Sequence, residues 1–225
     1  MSQPRVLVKI CGLTCVEDAI ACVAAGADWI GLNFHRPSPR SIGPEAAAEI
    51  LAALPDHVTA VGVFVDRPPG EVAELASRLG LKVVQLHGRE PIEDLAALGH
   101  FRVIRAFRLR SPDDGRAVAD FWSRADAIGH PPYGALVDAY VPGLPGGTGV
   151  AIDDSLLAGL PPLPRLILAG GLDPRNVAGR IARVRPWMVD VASGVESSPG
   201  RKDPDAVAAF VRAVRPGSGA TAALA

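Results

Sequence analysis

The sequence is poor in several things, and each scarcity removes a class of protein. Aromatic residues are only 5% of the chain, and the charges nearly cancel at −1. A near-neutral chain has no electrostatic footprint for nucleic acid or an anionic membrane, so neither is expected as a partner. Any anionic ligand must be held locally. No apolar run approaches the ~20 residues that span a bilayer, and Met1–Ile10 lacks the plan of a secretory signal. The three cysteines, Cys11, Cys15 and Cys22, crowd into the first 22 residues without the spacing of a disulfide framework. No histidine cluster accompanies them, which argues against zinc. Free thiols fit a reducing cytoplasm best.

What the chain does have is enough length and punctuation for one sizeable domain. At 225 residues, 48% apolar and 21% charged, it resembles an ordinary folded protein rather than a disordered one. Its 24 glycines and 21 prolines fall between apolar segments, as loop residues should. Strand patterns occur at Val6–Cys11, Trp29–Phe34, Ala60–Val65 and Val83–Leu86, then at Val103–Leu109, Ala135–Asp138, Leu166–Ala169 and Met188–Val191. Helical patterns follow each of them: Val16–Ala25, Pro44 to about Leu54, Pro69–Leu79, Pro91–Leu98, Asp113–Arg124, Asp153–Ala158, Pro174–Val184 and Pro204–Val214.

Several strands are continuous β-branched runs, as in parallel strands buried on both faces. No Gly-x-Gly-x-x-Gly follows the first strand, and the count of eight favours a closed (β/α)₈ barrel over a doubly wound sheet. Residues 1–215 are expected to form that single α/β domain. Pro216–Ala225 is small and polar and is expected to be a disordered tail.

In such a barrel chemistry belongs at the carboxyl ends of the strands. Side chains two apart on a strand share a face, so Lys9 pairs with Cys11 and Leu136 with Asp138. A thiol and a carboxylate can then face one another across the mouth as a proton-transfer pair. Lys9, one layer below, is a candidate cation to lower the thiol pKa. The alternatives are that Cys11 is a small buried hydrophobe, Lys9 a structural ion partner and Asp138 a turn former or helix cap. Beyond Asp138 lies a loop with Pro142, Gly143, Pro145, Gly146, Gly147 and Gly149, which excludes both helix and strand.

Glycine also follows the last two strands, at Gly170-Gly171 and at Ser193-Gly194. Backbone amides can there approach a ligand closely, and a short helical turn near Val195 would add its dipole, which is a barrel phosphate site. The bland alternative is that these glycines only turn the chain, with Asp173 capping the next helix. Arg40, in the stiff Pro37-Ser-Pro-Arg40 loop, either clamps a carboxylate or is a solvated surface residue. Gln85 and His87 share a face and either line the pocket or, for His87, satisfy the core. Asp66 precedes Arg67-Pro68-Pro69 and is expected to serve a turn or cap. Trp29, Trp122 and Trp187 are scattered and are expected to be packing residues.

Together, and in order along nearly the whole chain, these residues resemble the phosphoribosylanthranilate isomerase family. The matching pieces are Val8-Lys-Ile-Cys-Gly-Leu-Thr14, Gly26-Ala-Asp28, Ser38-Pro-Arg40, Val61-Gly-Val-Phe-Val-Asp66 and Val84-Gln-Leu-His-Gly88. Further on they are Leu144-Pro-Gly-Gly-Thr-Gly149, Leu168-Ala-Gly-Gly-Leu172 and Val189-Asp-Val-Ala-Ser-Gly-Val-Glu196. The resemblance implies a cytoplasmic barrel of tryptophan biosynthesis that uses no metal or organic cofactor. It implies an Amadori rearrangement of N-(5-phosphoribosyl)anthranilate, with Asp138 as general acid and Cys11 as general base. It also implies Arg40 as ligand of the anthranilate carboxylate and Gly170, Gly171, Ser193 and Gly194 as ligands of the phosphate. Gln85, His87, Gly147 and Asp190 are expected to complete the substrate site, in a monomer or a homodimer. Asn33, Ser41 and Ala192 depart from the family pattern; the first two would bear on the anthranilate ring, whereas Ala192 removes a hydroxyl but no backbone amide.

Other phosphosugar barrels fit less well. An epimerase would want a His/Asp metal set, which the five histidines do not form. An indole-glycerol-phosphate synthase would need a catalytic lysine pattern that is not seen. A ribosyl isomerase of the histidine pathway would show duplicated halves. A phosphate-binding barrel without catalysis would be favoured by loss of Cys11 or Asp138, and both are present.

Overall fold

A computed structural model of the protein describes residues 5–139, 156–157 and 160–215. Eight parallel strands follow one another in chain order around a closed barrel. They are β1 Leu7–Cys11, β2 Trp29–Asn33, β3 Thr59–Phe64, β4 Val83–Leu86, β5 Arg102–Leu109, β6 Gly134–Ala139, β7 Leu166–Ala169 and β8 Met188–Val191. The expected (β/α)₈ architecture is the one observed, and β1 closes it by pairing with both β2 and β8. The helices are α1 Val16–Ala24, α2 Pro44–Ala52, α3 Pro69–Arg78, α4 Asp94–Ala97, α5 Pro112–Ala127, α6 Val177–Val184 and α7 Pro204–Val214. Of the helix expected at Asp153–Ala158, only Leu156 and Leu157 are described, and both are helical. Gly147 with most of its loop, and the tail Pro216–Ala225, lie outside the described residues.

Alternation along the strands divides the apolar residues into two packed regions. Val8 and Ile10 of β1 join Ala19, Cys22, Val207 and Phe210 of the helices in the layer outside the sheet. Trp29, Val61, Val83, Ile104, Leu136, Ile167 and Met188 form a separate cluster that fills the barrel. Two of the tryptophans that are distant in sequence meet there: Trp29 and Trp187 pack edge to face at 5.6 Å, with Tyr133 edge-on to Trp187 at 6.1 Å.

The helix ends explain most of the legible boundaries. Gly26, Gly80 and Gly129 adopt φ of +102°, +67° and +76°, which glycine adopts without steric penalty. Each closes its helix with a Schellman pair, as in Gly129 N–H to Asp126 C=O and His130 N–H to Ala125 C=O at 2.9 and 3.0 Å. The breaker-rich Ala125–Pro132 segment is therefore in part a helix stop. Proline stands in the first turn of α2, α3, α5 and α7, where its missing N–H costs nothing. Two helices are shorter than expected. The chain enters α4 through i→i−3 bonds, with Asp94 N–H donating to Pro91 C=O and Leu95 N–H to Ile92 C=O, so its first residues turn too tightly for α-helix. Before α6, Asp173 Oδ1 accepts from the backbone of Arg175 and Asn176 and holds a side-chain-closed turn. Beyond β8 lie a single 3₁₀ turn, Ser193–Val195, and a small antiparallel pair, β9 Glu196–Ser198 and β10 Arg201–Lys202, neither of which has a strand-length apolar pattern.

Candidate active site

The inward-facing positions change character toward the carboxyl end of the barrel. Below, they are Trp29, Val61, Ile104 and Leu136; above, they become Cys11, Asn33, Gln85, Arg108, Asp138 and Asp190. The strand register sets this, because Cys11 stands beside Gly31, Val63 beside Gln85 and Arg108 beside Asp138. These residues line a cleft of about 350 Å³, together with Arg40, His87 and the loops at Gly170-Gly171 and Ser193-Gly194. Every site residue expected from the sequence is in this cleft except Gly147, which is not described. A wider groove of about 830 Å³ lies beside it, under Phe34, Arg36, Asp66 and Arg67, but holds neither Cys11 nor Asp138. Ser41 lines that groove and not the cleft.

Lys9 and Asp190 are register partners across β1 and β8, joined at 2.9 Å, with side chains 0% and 7% exposed. Burial opposes the ammonium, but Asp190 and then Cys11 outweigh it, and the Lys9 pKa is raised. Such a pair is held by mutual need, since removing one partner strands a buried charge and costs about 3–5 kcal/mol. Among the described residues, Asp190 Oδ1 has no donor, and neither has Gln85 Oε1.

For Cys11 the expectation of a lowered pKa is corrected. Burial pushes the thiol up; Lys9 and Lys202 pull it down, Asp190 adds to the rise, and the net direction is upward. Lys9 does act in the expected sense, but its charge is shared with Asp190. Burial also pushes up the thiol of Cys22, behind the strand, to about 12.

On the opposite wall, Gln85 Nε2 meets His87 Nδ1 at 2.8 Å. With the amide so oriented, Nδ1 accepts and Nε2 carries the proton. That Nε2 lies 3.7 Å from Asp138 Oδ2, within ion-pair range but too long for a hydrogen bond. The turn carrying His87 is pinned from outside the barrel. Glu90 accepts from Gly88 N–H with both oxygens at 3.0 Å, from Asp66 N–H at 3.0 Å and from Arg105 at 2.7 Å. Asp66, expected as a turn or cap residue, sits at φ +49° and receives the Arg89 N–H. It joins the loop after β3 to the loop after β4.

The two glycine loops touch. A Cβ on Gly194 would stand 1.9 Å from the Leu172 carbonyl oxygen, so only glycine lets the β8 loop lie on the β7 loop. Gly170 and Gly171 take φ of +84° and +63°. Asn176 braces this turn, donating to Gly171 C=O at 2.8 Å and accepting from Asp173 N–H at 3.0 Å. The result is a rigid concavity of backbone, suited to an anion.

Arg40 lies between these walls. Its aliphatic stem passes over Gly12, whose Cβ would come within 2.6 Å of Arg40 Cδ. Ser38 Oγ accepts the Arg40 N–H and is itself held by Asn33 Nδ2, both at 3.1 Å. Asn33 thus orders the loop from below the cleft. Arg108 and Glu196 were missed in the sequence. The Ile104–Ala106–Arg108 alternation was the available signal for Arg108; Glu196 entered only as the last residue of a matching motif, with no role attached. Among the described residues no group of three or more His, Cys, Asp or Glu is placed to hold a metal.

A family model described as N-(5'-phosphoribosyl)anthranilate (PRA) isomerase matches residues 8–213. The N-(5'-phosphoribosyl)anthranilate isomerase of Pseudomonas fluorescens Pf-5 is 47% identical over 213 residues, covering 95% of this chain and 97% of its own. That of Pseudomonas paraeruginosa PA7 is 49% identical over 216 residues, with the same coverage of 95% and 97%. Among solved structures, phosphoribosyl anthranilate isomerase from Thermotoga maritima superposes with a TM-score of 0.83 at 37% identity, covering 94% of this chain and 99% of that one. A phosphoribosyl anthranilate isomerase in complex with reduced 1-(o-carboxyphenylamino)-1-deoxyribulose 5-phosphate gives 0.79 at 36% identity, over 94% and 99%.

Proposed function

The chain belongs to the N-(5'-phosphoribosyl)anthranilate isomerase family, and from that premise we propose how its residues carry the reaction. The protein isomerises N-(5-phosphoribosyl)anthranilate to 1-(2-carboxyphenylamino)-1-deoxyribulose 5-phosphate in tryptophan biosynthesis. Asp138 gives a proton to the furanose ring oxygen, and the bond from that oxygen to C1 breaks as the anilino nitrogen pushes in. The product is a cationic Schiff base. Cys11 takes the proton from C2, and the electron pair left behind forms the enolamine. Loss of the enol proton and protonation at C1 then yield the ketone.

What supports this assignment is that Cys11 and Asp138, three strands apart around the barrel, line one cleft with the paired glycine loops. Only the thiolate can take the C2 proton, so with the thiol pKa raised the reactive base is the less populated, deprotonated form. A cation forming beside the sulfur favours the thiolate at the step that consumes it. Arg40 receives the anthranilate carboxylate, and Gly170, Gly171, Ser193 and Gly194 hold the phosphate through backbone N–H groups. Gln85, His87 and Asp190 border the sugar. Residues 1–215 form the catalytic domain, working in the cytoplasm as a monomer or homodimer, a choice that sedimentation velocity decides.

The test is turnover by fluorescence for the parent, Cys11→Ser and Asp138→Asn, with product affinity measured alongside. Both variants are expected to keep product affinity and lose about 10²–10⁴ in turnover. A parent protein that binds product without turning over substrate removes the assignment and leaves a binding barrel.

A further inference from the structure

Arg40 reaches the cleft with one side already taken. Its Nε donates to Glu196 Oε1 at 2.8 Å and its Nη2 to Glu196 Oε2 at 2.7 Å. This bidentate pairing occupies the lateral edge of the guanidinium. Among the described residues no hydrogen bond is made by Nη1, so the terminal edge remains for a ligand. Glu196 is in turn held by Lys202, whose Nζ donates to Oε1 at 2.7 Å and to the Ala192 carbonyl at 3.2 Å. The side chains of Glu196 and Lys202 are 4% and 1% exposed, whereas that of Arg40 is 21% exposed. The small β9–β10 pair, which plays no part in the barrel, delivers both residues.

The charges make the arrangement specific. Two cations and one carboxylate leave one positive charge, and the only one of the three that opens to the cleft is Arg40. Without Lys202, Glu196 would neutralise Arg40 and leave this side of the cleft with no net charge to favour an acid. Without Glu196, the guanidinium would keep its charge but lose its aim.

Building on the carboxylate-binding role given to Arg40 above, we propose that Glu196 and Lys202 are positioning residues that set the orientation and net charge of Arg40, and thereby select substrates bearing a carboxylate on the aryl ring. Glu196 fixes which edge of Arg40 faces the substrate. Lys202 keeps the cluster at a net charge of one, matched to a single carboxylate.

The experiment compares kcat/KM for phosphoribosylanthranilate with that for the carboxylate-free phosphoribosylaniline, in the parent, Glu196→Gln and Lys202→Met. The ratio of the two values is the readout, since it cancels damage common to both substrates, including damage to the phosphate loops. The proposal expects the ratio to fall roughly tenfold to a hundredfold in both variants, the range of one charge-assisted contact. The variants change net charge in opposite directions. If charge alone mattered, the ratio would rise in Glu196→Gln and fall in Lys202→Met, and orientation by Glu196 would be wrong. If both substrates lose equally, the two residues only hold the fold, and the proposal is overturned. If Glu196→Gln does not fold, Lys202→Met decides alone: an unchanged ratio there is fatal to it. A parent that turns over neither compound would instead remove the isomerase reading, a separate failure.

Discussion

Gly31 gives Cys11 its place. The two are register partners across β1 and β2, and a Cβ on Gly31 would stand 2.6 Å from the Cys11 sulfur and 3.1 Å from its Cα. Gly31→Ala is therefore expected to push the thiol aside without opening the barrel. Overpacking of this kind costs about 1–3 kcal/mol, while a misplacement of about 1 Å at a reacting group can cost 10²-fold in rate. Thermal unfolding alongside single-turnover kinetics separates the two effects; a large loss of stability with turnover intact would refute the placement.

The pH dependence of the reaction should carry the mark of the half-buried thiol. A thiol raised above its ordinary 9.0 binds its proton longer than the unfolded chain does. Its contribution to stability is present below pH 9.0 and is lost as pH rises through the higher folded value. For catalysis the sign is the reverse: if the thiolate is the base, kcat/KM keeps climbing with pH beyond 9.0. Lys9→Met removes a cation beside the sulfur, so the thiol titration, followed by thiolate absorbance, should move higher still. An unchanged titration would sink the idea that Lys9 acts on Cys11.

Gly194→Ala tests the joint between the two glycine loops. With the Leu172 carbonyl 1.9 Å from the new Cβ, one loop must move away from the other. The expected result is a KM raised about tenfold or more and weaker inhibition by inorganic phosphate, since loss of a charge-assisted contact is of that order. Equal inhibition in variant and parent would place the phosphate elsewhere.

Glu90→Ala tests the support behind His87. It leaves Arg105 buried without its carboxylate and frees the N–H groups of Asp66 and Gly88. Breaking a buried pair by removing one partner costs about 3–5 kcal/mol. Denaturant unfolding should show a loss of that order, and amide exchange should quicken in the loop after β4. A variant as stable as the parent would mean that the network holds nothing.

The barrel was legible because each strand carries its own local signature, and β4, β7 and β8 begin and end where the apolar runs do. Cys11 and Asp138 could be placed from alternation alone, which fixes a face without knowledge of the neighbouring strand. The supports of the site were not legible in that way. Arg40 and Glu196 are 156 residues apart, and the hairpin carrying Glu196 is too short for a pattern. The direction of the Cys11 pKa was missed for a similar reason, since a cation two residues away is visible in sequence whereas the burial that overrides it is not. Asp28, met only as part of a matching motif, receives Val8 N–H and the guanidinium groups of Arg5 and Arg215.

The pairing of Lys9 with Asp190 ties the beginning of the chain to its end across 181 positions. During synthesis the first strand is made with its ammonium group bound for the interior, and the matching carboxylate arrives only with the last strand. A nascent chain that stops after β7 is expected to keep Lys9 in water and leave the ring open, so partial products cannot assemble a working cleft. Competence is thus expected only after β8 has joined β1.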